Sequence, residues 1–370
     1  MPERLYAKIS RHAKPIMAIA VVLSAFSIYF GSQVQLNTYL YDDLDADDPL
    51  SQSLAFFEEN FFGIRDLELF VTVKEGHTVY DRAVVDELVK LEAYLQKEYG
   101  ARDLFSLATL IKRYNRAYYH GKPSQFIVPS NPVQYDRLIR FLQEEEQQSY
   151  MEGIVNQPQN LMRVYVKVTD EGSAVANEKN QHLKTFIANE LDFDLIDIQL
   201  GGQPLFIDKG NELITRYLFK SLLGALLVVF VIVLLVYRSF RLAIIAFIPN
   251  VLPMLLMLGL MYWLDITLKK STAVIFTIAF GIAVDDTIHF LSRFRYRLQQ
   301  GMSASEALQN TWQTTGKAIL ITSLVLVAGF GSFAFSSFQS TFLTGTLVSA
   351  VLLTAVFADL VLLVVLIRKG

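Results

Sequence analysis

The chain has 370 residues, of which 52% are hydrophobic and 19% charged, and its formal net charge is −3. This composition is too apolar for an ordinary soluble domain, and the nearly balanced charge gives no sign of a nucleic-acid-binding surface. The sequence contains no cysteine, which excludes disulfides, thiolate metal sites and cysteine nucleophiles.

The apolar residues are concentrated in segments long enough to cross a bilayer. About 20 apolar residues span a hydrocarbon core of about 30 Å, and in an open chain only helices can do so. The sequence predicts six spans, near residues 14–31, 213–236, 241–264, 271–292, 317–336 and 342–367. Because no clean cleavage site follows the first segment, we interpret it as an uncleaved anchor rather than a signal peptide.

The orientation is predicted by the basic residues of the short connections between spans. One side of the membrane would collect Arg4, Lys8, Arg11, Lys14, Arg238, Arg241, Arg293, Arg295, Arg297, Lys317, Arg368 and Lys369. The short loops of the other side offer Lys269 and Lys270. We therefore expect both termini in the cytoplasm and residues 33–212 outside it, between a first region at 1–32 and a five-helix region at 213–370.

Residues 33–212 alternate between strand and helix patterns. Strands are predicted at 66–76, 161–172 and 193–202, and helices at 81–99 and 174–191. This order predicts an α/β domain of ferredoxin-like type, made of two βαβ-type pieces. A largely helical insertion at about 103–150 separates the two pieces.

Two segments of this domain invite a functional interpretation. The acidic segment "DDLDADD" (42–48) has alternating aspartates, but the glycine and glutamate of a calcium loop are missing, so we interpret it as a solvated linker. The segment "SLAFFEENFFG" (53–63) is rich in phenylalanine. Core packing of a short amphipathic helix is the first interpretation, and contact with a greasy substrate is the alternative.

Two features of the last five spans concern helix geometry. "SASEALQNTW" (303–312) begins with a capping box, Ser303 and Glu306, and predicts a short cytoplasmic helix at about 303–315 along the membrane interface. Pro249 and Pro253 predict a kink in the third span.

The fourth span carries two adjacent carboxylates in "GIAVDDTIHF" (281–290). Asp285 lies 14 residues past Ser271, about 21 Å along a helix, and eight residues before Arg293, about 12 Å. Each aspartate near a span centre costs about 2.5–3.5 kcal/mol on insertion scales. The sequence tolerates this cost only if the carboxyl groups face protein or a wet cavity.

The helix geometry separates the two aspartates. Successive residues differ by about 100°, so Asp285 shares a face with Gly281 and His289 and not with Asp286. Gly281 would let a neighbouring helix approach closely. Desolvation and a second carboxylate both favour the protonated form of a carboxyl group, and histidine changes charge near neutral pH. Asp285, Asp286 and His289 are therefore the predicted proton relay.

The alternative is that both aspartates only fix helix packing through hydrogen bonds. The candidate partners are Thr322 and Ser323 of the fifth span and Thr354 of the sixth. Ion pairing with Asp359 or Lys317 is a further option, although the sequence predicts that both lie nearer the cytoplasmic edge. We favour the relay because ionisable groups inside a membrane are functional by default. A zinc site is disfavoured because no fourth ligand is evident, so no metal site is predicted.

The arrangement of one span, a large outer domain and five closely spaced spans resembles half of a resistance–nodulation–division (RND) transporter. The branch with MMPL proteins, Patched-like proteins and bacterial predicted exporters is the most similar. The resemblance is carried by "YRSFRLAIIAFIPNVLPMLL" (237–256), "STAVIFTIAFGIAVDDTIHFLSRFR" (271–295) and "GKAILITSLVLVAGF" (316–330), and "GGQPLFIDKGNELI" before the second span also fits. Gly281, Asp285 and Asp286 match the family's proton-relay signature.

The resemblance implies a porter-like outer domain, the proton as coupling ion without another cofactor, and export of lipids or other amphipathic molecules from the bacterial inner membrane. Family members carry two such halves, and this chain is most similar to a C-terminal half. We therefore expect either that it is part of a longer, twelve-span protein or that it pairs with a second half-transporter chain or forms a homo-oligomer, surrounded by membrane lipids.

Two other function classes stay open on the sequence. A SecDF-like protein-export auxiliary shares the helix bundle and pairs a polar residue with Asp-Thr in its fourth span, as Asp285, Asp286 and Thr287 do here. A lipid-sensing receptor or scaffold would need no transport. No nucleophile–base arrangement or phosphate loop is evident, so the sequence does not predict an enzyme.

Overall fold

Six helices of the computed structural model are long and apolar enough to cross a membrane, which confirms the six apolar segments predicted from hydropathy. The structure describes residues 3–41, 43–44, 47–144, 151–156 and 158–369, without the side chains of residues 3 and 369. The chain divides into a membrane unit (Met1–Thr38, Asp42–Asp45, Asn211–Gly370) and an α/β unit (Tyr39–Tyr41, Ala46–Gly210).

The helices and strands follow one another in a simple order along the chain. They are α1 (Glu3–Arg11), α2 (Ala13–Gly31), α3 (Pro49–Asn60), β1 (Arg65–Val73), α4 (Arg82–Tyr94), β2 (Asp103–Phe105), α5 (Leu107–Tyr118), α6 (Pro132–Leu142), β3 (Leu161–Val168), α7 (Ser173–Glu190), β4 (Ile196–Gly201), α8 (Gln203–Tyr237), α9 (Phe240–Trp263), α10 (Lys270–Gln299), α11 (Ala304–Gly331), α12 (Gln339–Phe357) and α13 (Val364–Lys369). A π-helical turn, Ala358–Leu363, joins α12 to α13.

The predicted short cytoplasmic helix at 303–315 is wrong as a separate element. Its residues and the fifth span form one continuous helix, α11. The predicted capping box is present at its start, with Ser303 and Glu306 each bonded to the backbone of the other. Nothing between positions 312 and 317 stops the helix, since Gly316 only lowers helix propensity and no proline follows it. Trp312 is buried against Tyr6 of α1, with ring centroids 5.6 Å apart.

Close helix crossings in the membrane unit occur at small residues. A Cβ at Gly259 of α9 would lie 2.8 Å from Ser27 Oγ of α2, and one at Gly31 would lie 2.8 Å from Leu258 Cβ. Gly345 of α12 is similarly close to the backbone around Phe333. Small residues allow such backbone approach because packing, rather than water exclusion, holds membrane helices together.

The α/β unit contains a four-stranded sheet in the order β2-β3-β1-β4, with antiparallel neighbours throughout. Strands β1 and β3 alternate between buried and more exposed residues, so one face of the sheet is covered. That face packs with α4 and α7, through Leu88 and Leu91 of one helix and Leu183 of the other. Each helix follows one of the two central strands, β1 and β3.

The strand and helix predictions of this unit agree with β1, α4, β3, α7 and β4 to within a few residues. The start of the predicted insertion at about 103–150 is wrong, because residues 103–105 form the edge strand β2. Three residues leave no periodic pattern, so only the pairing with β3 identifies this strand. Helices α5 and α6 lie in the rest of the insertion, whose positions 145–150 are outside the described residues.

A buried ion-pair cluster ties three parts of the α/β unit together. Arg65, at the start of β1, contacts Asp170 at 2.8 Å and Asp208 at 2.5 Å. All three side chains are no more than 7% exposed. The backbone N–H of Leu40 also donates to Asp170. Because each buried charge has a partner of opposite sign, the cluster is an anchor between β1, the segment after β3 and the first turns of α8.

The predicted core packing of the phenylalanine-rich segment is wrong, since helix α3 has no buried residue. Phe56 and Phe57 are 56% and 51% exposed. Their rings pack against Phe61 at centroid distances of 6.0 and 5.0 Å. The physical reason lies on the other face of the helix. Glu58 accepts a hydrogen bond from the backbone N–H of Asp170, so the polar face is held against the unit and the phenylalanines face outward.

Two described aspartates of the acidic linker at 42–48 contact other residues. Residues 42, 45 and 46 lie outside the described residues. Asp48 caps α3 by accepting from the N–H of Leu50 at 2.8 Å. Asp43, in the membrane unit, accepts from Ser340 and lies 3.6 Å from Lys269.

Candidate functional site between two membrane helices

The two adjacent aspartates of α10 occupy different environments, as the 100° step between helical residues requires. Asp285 is 71% exposed, whereas Asp286 is half-buried between α10 and α11. Asp285 lies 15 residues after the start of α10, about 22 Å along its axis. Both carboxyl groups are therefore near the middle of a long apolar helix.

Asp285 pairs with His289, one helical turn further along α10. Its Oδ1 atom lies 3.4 Å from Nε2 of His289, and the histidine side chain is 70% exposed. Asp285 makes no hydrogen bond or ion pair to another helix among the described residues. The pair can therefore exchange protons with whatever medium fills the space beside α10.

Asp286 contacts the fifth span. Ser323 of α11 donates to Asp286 Oδ2 at 3.3 Å. The hydroxyl of Thr322, the neighbouring residue, instead donates to backbone carbonyls of its own helix, those of Ala318 and Ile319. Of the two hydroxyl groups expected beside the aspartates, Ser323 is in contact and Thr322 only lines the adjoining space.

That space is a groove of about 980 Å³ between α10 and α11. The predicted residues Asp285, Asp286, His289 and Thr322 line it. The groove continues along α10 past Arg293, Tyr296, Arg297 and Gln300. Arg297 donates to Thr311 and Thr314 of α11 and thereby bridges the two helices near one end of the groove. Polar side chains thus follow the groove from the aspartates to the end of α10.

No other helix of the described residues approaches Gly281, so its predicted packing role stays a prediction. A Cβ built at Gly281 meets no atom within 4 Å, whereas the close crossings lie at Gly31, Gly259 and Gly345. Helical spacing placed Gly281 correctly on the face of Asp285, but it could not show which face another helix covers. Gly281 is exposed beside the groove.

A second polar cluster lies deeper in the bundle, on the opposite side of α10 from Asp285. Thr287 donates to Asp359 Oδ1 at 2.6 Å, and Asn250 Nδ2 donates to Thr287 at 3.0 Å. The sequence placed Asp359 near the cytoplasmic edge, where no relation to Thr287 was expected. The structure instead buries Asp359 to 1% exposure. The signal in the sequence was a lone aspartate in an apolar span, nine residues before Arg368.

The described residues contain no group of three or more histidine, aspartate or glutamate side chains arranged to hold a metal ion. Asp285 and His289 share one face of α10, whereas Asp286 points to α11, so the three side chains do not converge on a single point. Carboxyl and imidazole groups can bind and release protons, and the groove offers both.

Comparison with known proteins is consistent with this architecture. A membrane protein of Methanocaldococcus jannaschii is 21% identical over 332 residues, which cover 86% of this chain and 81% of that protein. The MMPL family matches residues 97–367, which include α10, α11 and both polar clusters. The chain therefore belongs to the MMPL family of transporters, and its six apolar helices correspond to half of an RND-type transporter.

Proposed function

We propose that this chain is a proton-motive-force-driven RND-type half-transporter, which exports lipids or other hydrophobic or amphipathic molecules from the inner membrane. The observation that carries the proposal is the polar groove beside α10. It brings Asp285, Asp286 and His289 together in the middle of an apolar helix.

The groove supports a relay more than a packing role. A packing carboxylate needs a partner on another helix, and Asp285 has none among the described residues. Asp286 does have such a partner in Ser323, but at 3.3 Å the hydrogen bond is long for an O–H donor. Two acids with unlike environments, one open and one half-buried, suit the uptake of a proton at one and its transfer to the other.

Proton binding can change the arrangement of helices because it changes the cost of burial. An ionised carboxylate at bilayer depth is expensive, and protonation removes that cost. Asp286 could then leave Ser323 and the groove could close, which would move α10 against α11. Such a two-state shift is the physical basis of alternating access.

The α/β unit is proposed to be the porter-type domain, on the extracytoplasmic side of the membrane. Its strand order, β2-β3-β1-β4 with a helix after each central strand, supports a ferredoxin-like fold. The exposed rings of Phe56 and Phe57 support a hydrophobic or lipid-like cargo. Membrane lipids are the proposed source of that cargo.

A partner chain is proposed to cover the groove. Asp285 and His289 are each about 70% exposed, and exposure of charged groups to hydrocarbon costs about 2.5–3.5 kcal/mol for an aspartate. A second half-transporter chain or a second copy of this one would replace lipid at this face.

Proton flux into vesicles tests the proposal. The full chain is reconstituted into phospholipid vesicles that contain a pH-sensitive dye, and an outside-acid gradient is imposed. We expect flux with the wild type and flux no greater than in protein-free vesicles with Asp285→Asn or Asp286→Asn. Asp265→Asn is the matched control, because position 265 has a φ of 53°, which asparagine tolerates. Wild-type flux in both groove variants would reject the relay and leave a receptor or scaffold.

A further inference from the structure

A buried polar cluster joins three spans on the side of α10 that faces away from the groove. Asn250 of α9, Thr287 of α10 and Asp359 of the π-helical turn are 4%, 1% and 1% exposed. The other residues that line the small cavity beside Asn250 and Thr287 are apolar, including Ala246, Val284 and Ile288. Three polar side chains that meet inside an otherwise apolar bundle need a reason beyond packing, since apolar groups would fill the same space.

The hydrogen bonds of this cluster run in one direction. Asn250 Nδ2 donates to the Ala246 carbonyl at 2.7 Å and to Thr287 Oγ1 at 3.0 Å. The Ala246 carbonyl can only accept, so it sets the orientation of the amide. Thr287 has one hydroxyl hydrogen and gives it to Asp359 Oδ1 at 2.6 Å. The carboxyl group of Asp359 therefore faces a donor whose position is held by a second helix.

Among the described residues, no lysine, arginine or histidine pairs with Asp359. Asp286, the residue before Thr287 in α10, is also an acid and would carry a charge of the same sign. Ionised aspartate in such a place keeps one hydroxyl donor and loses its hydration, which is unfavourable. When Asp359 holds a proton, its side chain is neutral and the cluster contains no unpaired buried charge.

An orphaned acceptor lies next to the same cluster. Asn250 Oδ1 is buried and has no hydrogen-bond partner among the described residues. It lines a small cavity of about 10 Å³, together with Thr287. Buried polar atoms are normally satisfied, so an unpaired acceptor marks a place where a further proton donor is accommodated.

Asp359 lies in a rare backbone conformation. Residues 358–363 form a π-helical turn between two α-helices, and Trp312 Nε1 of α11 donates to the Leu360 carbonyl at 2.8 Å. Such turns occur frequently at functional sites. The turn thus links Asp359 to the helix that also carries Ser323.

We propose that Asp359, held by Thr287 and Asn250, is a second intramembrane proton-binding site. Only the use of this proton in transport rests on the proposed function. The binding of the proton rests on the cluster itself. Asp286 precedes Thr287 in α10, so the groove and the buried site meet at adjacent residues.

Infrared spectroscopy of the full chain in phospholipid nanodiscs tests the proposal without any transport measurement. A protonated carboxyl group has a C=O stretching band that a carboxylate lacks. We expect a band at neutral pH that is absent in Asp359→Asn and that disappears reversibly as the pH is raised. Identical spectra for wild type and Asp359→Asn would overturn the proposal, as would a band that persists at every pH at which the protein stays folded.

The hydrogen-bond donor supplies a second test that does not require removal of the acid. Thr287→Val keeps the shape of the side chain and removes the donor, so the band should move to higher frequency. Thr287→Ser is the matched control and should leave the band in place. If Asp359→Asn does not fold, an unshifted band in Thr287→Val is sufficient to reject the site. Loss of proton flux in Asp286→Asn with an unchanged Asp359 band would separate the groove relay from this second site.

Discussion

Asp285 Oδ1 lies 3.4 Å from Nε2 of His289, and the two side chains are 71% and 70% exposed. The two residues are an acid and a base one turn apart on a membrane helix, and no other helix of the described residues covers them. Contact of this face with hydrocarbon would be unfavourable. Within this chain, the face is therefore incomplete as a membrane surface. Its first consequence concerns the oligomeric state.

Cysteine cross-linking should detect a second copy at this face. The chain contains no cysteine, so an introduced thiol is unique. Gly281 lies one turn from Asp285, and a side chain there meets no atom within 4 Å. We expect Gly281→Cys to form covalent dimers in membranes, either as a disulfide or through a short bismaleimide linker.

Leu235→Cys is the control for this experiment, since Leu235 of α8 is 68% exposed on a helix that does not line the groove. Equal dimer yields at the two positions would argue against a second copy at the groove. The partner would then be a different half-transporter chain.

The buried cluster at Arg65 should dominate the stability of the α/β unit. Removal of one partner of a buried ion pair leaves an uncompensated charge and costs about 3–5 kcal/mol. We therefore expect Arg65→Met to lower the melting temperature of this unit strongly in scanning calorimetry of the detergent-solubilised chain. The triple variant Arg65→Met/Asp170→Asn/Asp208→Asn should recover part of the loss, because no buried charge is left unpaired.

Arg163→Met is the matched control for the same loss of an arginine. Arg163 contacts Glu68 at 2.9 Å on the open face of the sheet, and its side chain is 41% exposed. Exposed pairs contribute about 0–1 kcal/mol, so this variant should melt close to the wild type. Equal effects of the two substitutions would show that the Arg65 cluster is not an anchor.

The phenylalanines of α3 should be dispensable for folding. Phe56 and Phe57 are more than half exposed, so Phe56→Ser/Phe57→Ser should leave the melting temperature almost unchanged. Leu88→Ala is the contrasting variant, because Leu88 is fully buried and its truncation should cost about 2–5 kcal/mol. If the rings contact lipid-like cargo, the double variant should also co-purify with less lipid, as measured by mass spectrometry. A clear loss of stability in Phe56→Ser/Phe57→Ser would show that these rings are part of the hydrophobic core.

Asp81 should give the α/β unit a small acid-sensitive contribution to stability. Burial alone would raise the pKa of Asp81, but hydrogen bonds from Thr78 and His77 outweigh it and lower the pKa below its usual 3.8. As the pH falls, the unfolded chain takes up this proton first, so stability decreases. The contribution is complete above pH 3.8 and is lost as the pH falls through the lower pKa of the folded state.

Calorimetry of Asp81→Asn as a function of pH checks this sign. The variant should melt below the wild type at neutral pH, and the difference should shrink on acidification. A gap that stays constant down to acid pH would show that the charge of Asp81 makes no contribution.

The helices of the membrane unit and the strands of the α/β unit could be predicted because each leaves a periodic or compositional pattern. The fourth span, predicted at 271–292, lies within Lys270–Gln299, and the strand predicted at 66–76 overlaps Arg65–Val73. Edge strand β2 and the continuity of α11 left no such pattern. A three-residue strand exists only through its partner, and a helix continues unless a specific residue stops it.

The pattern of the fourth span is enough to predict that Asp285, Asp286 and His289 lie deep in an apolar helix and that the acids point in different directions. Both properties follow from rise and rotation per residue. The neighbour of each acid could be found only from the packing of the helices. That packing left Asp285 and Gly281 uncovered, placed Ser323 beside Asp286, and buried Asp359 against Thr287 across 72 positions of chain. Helical periodicity is a local property, whereas the contact of two spans depends on how the whole bundle packs.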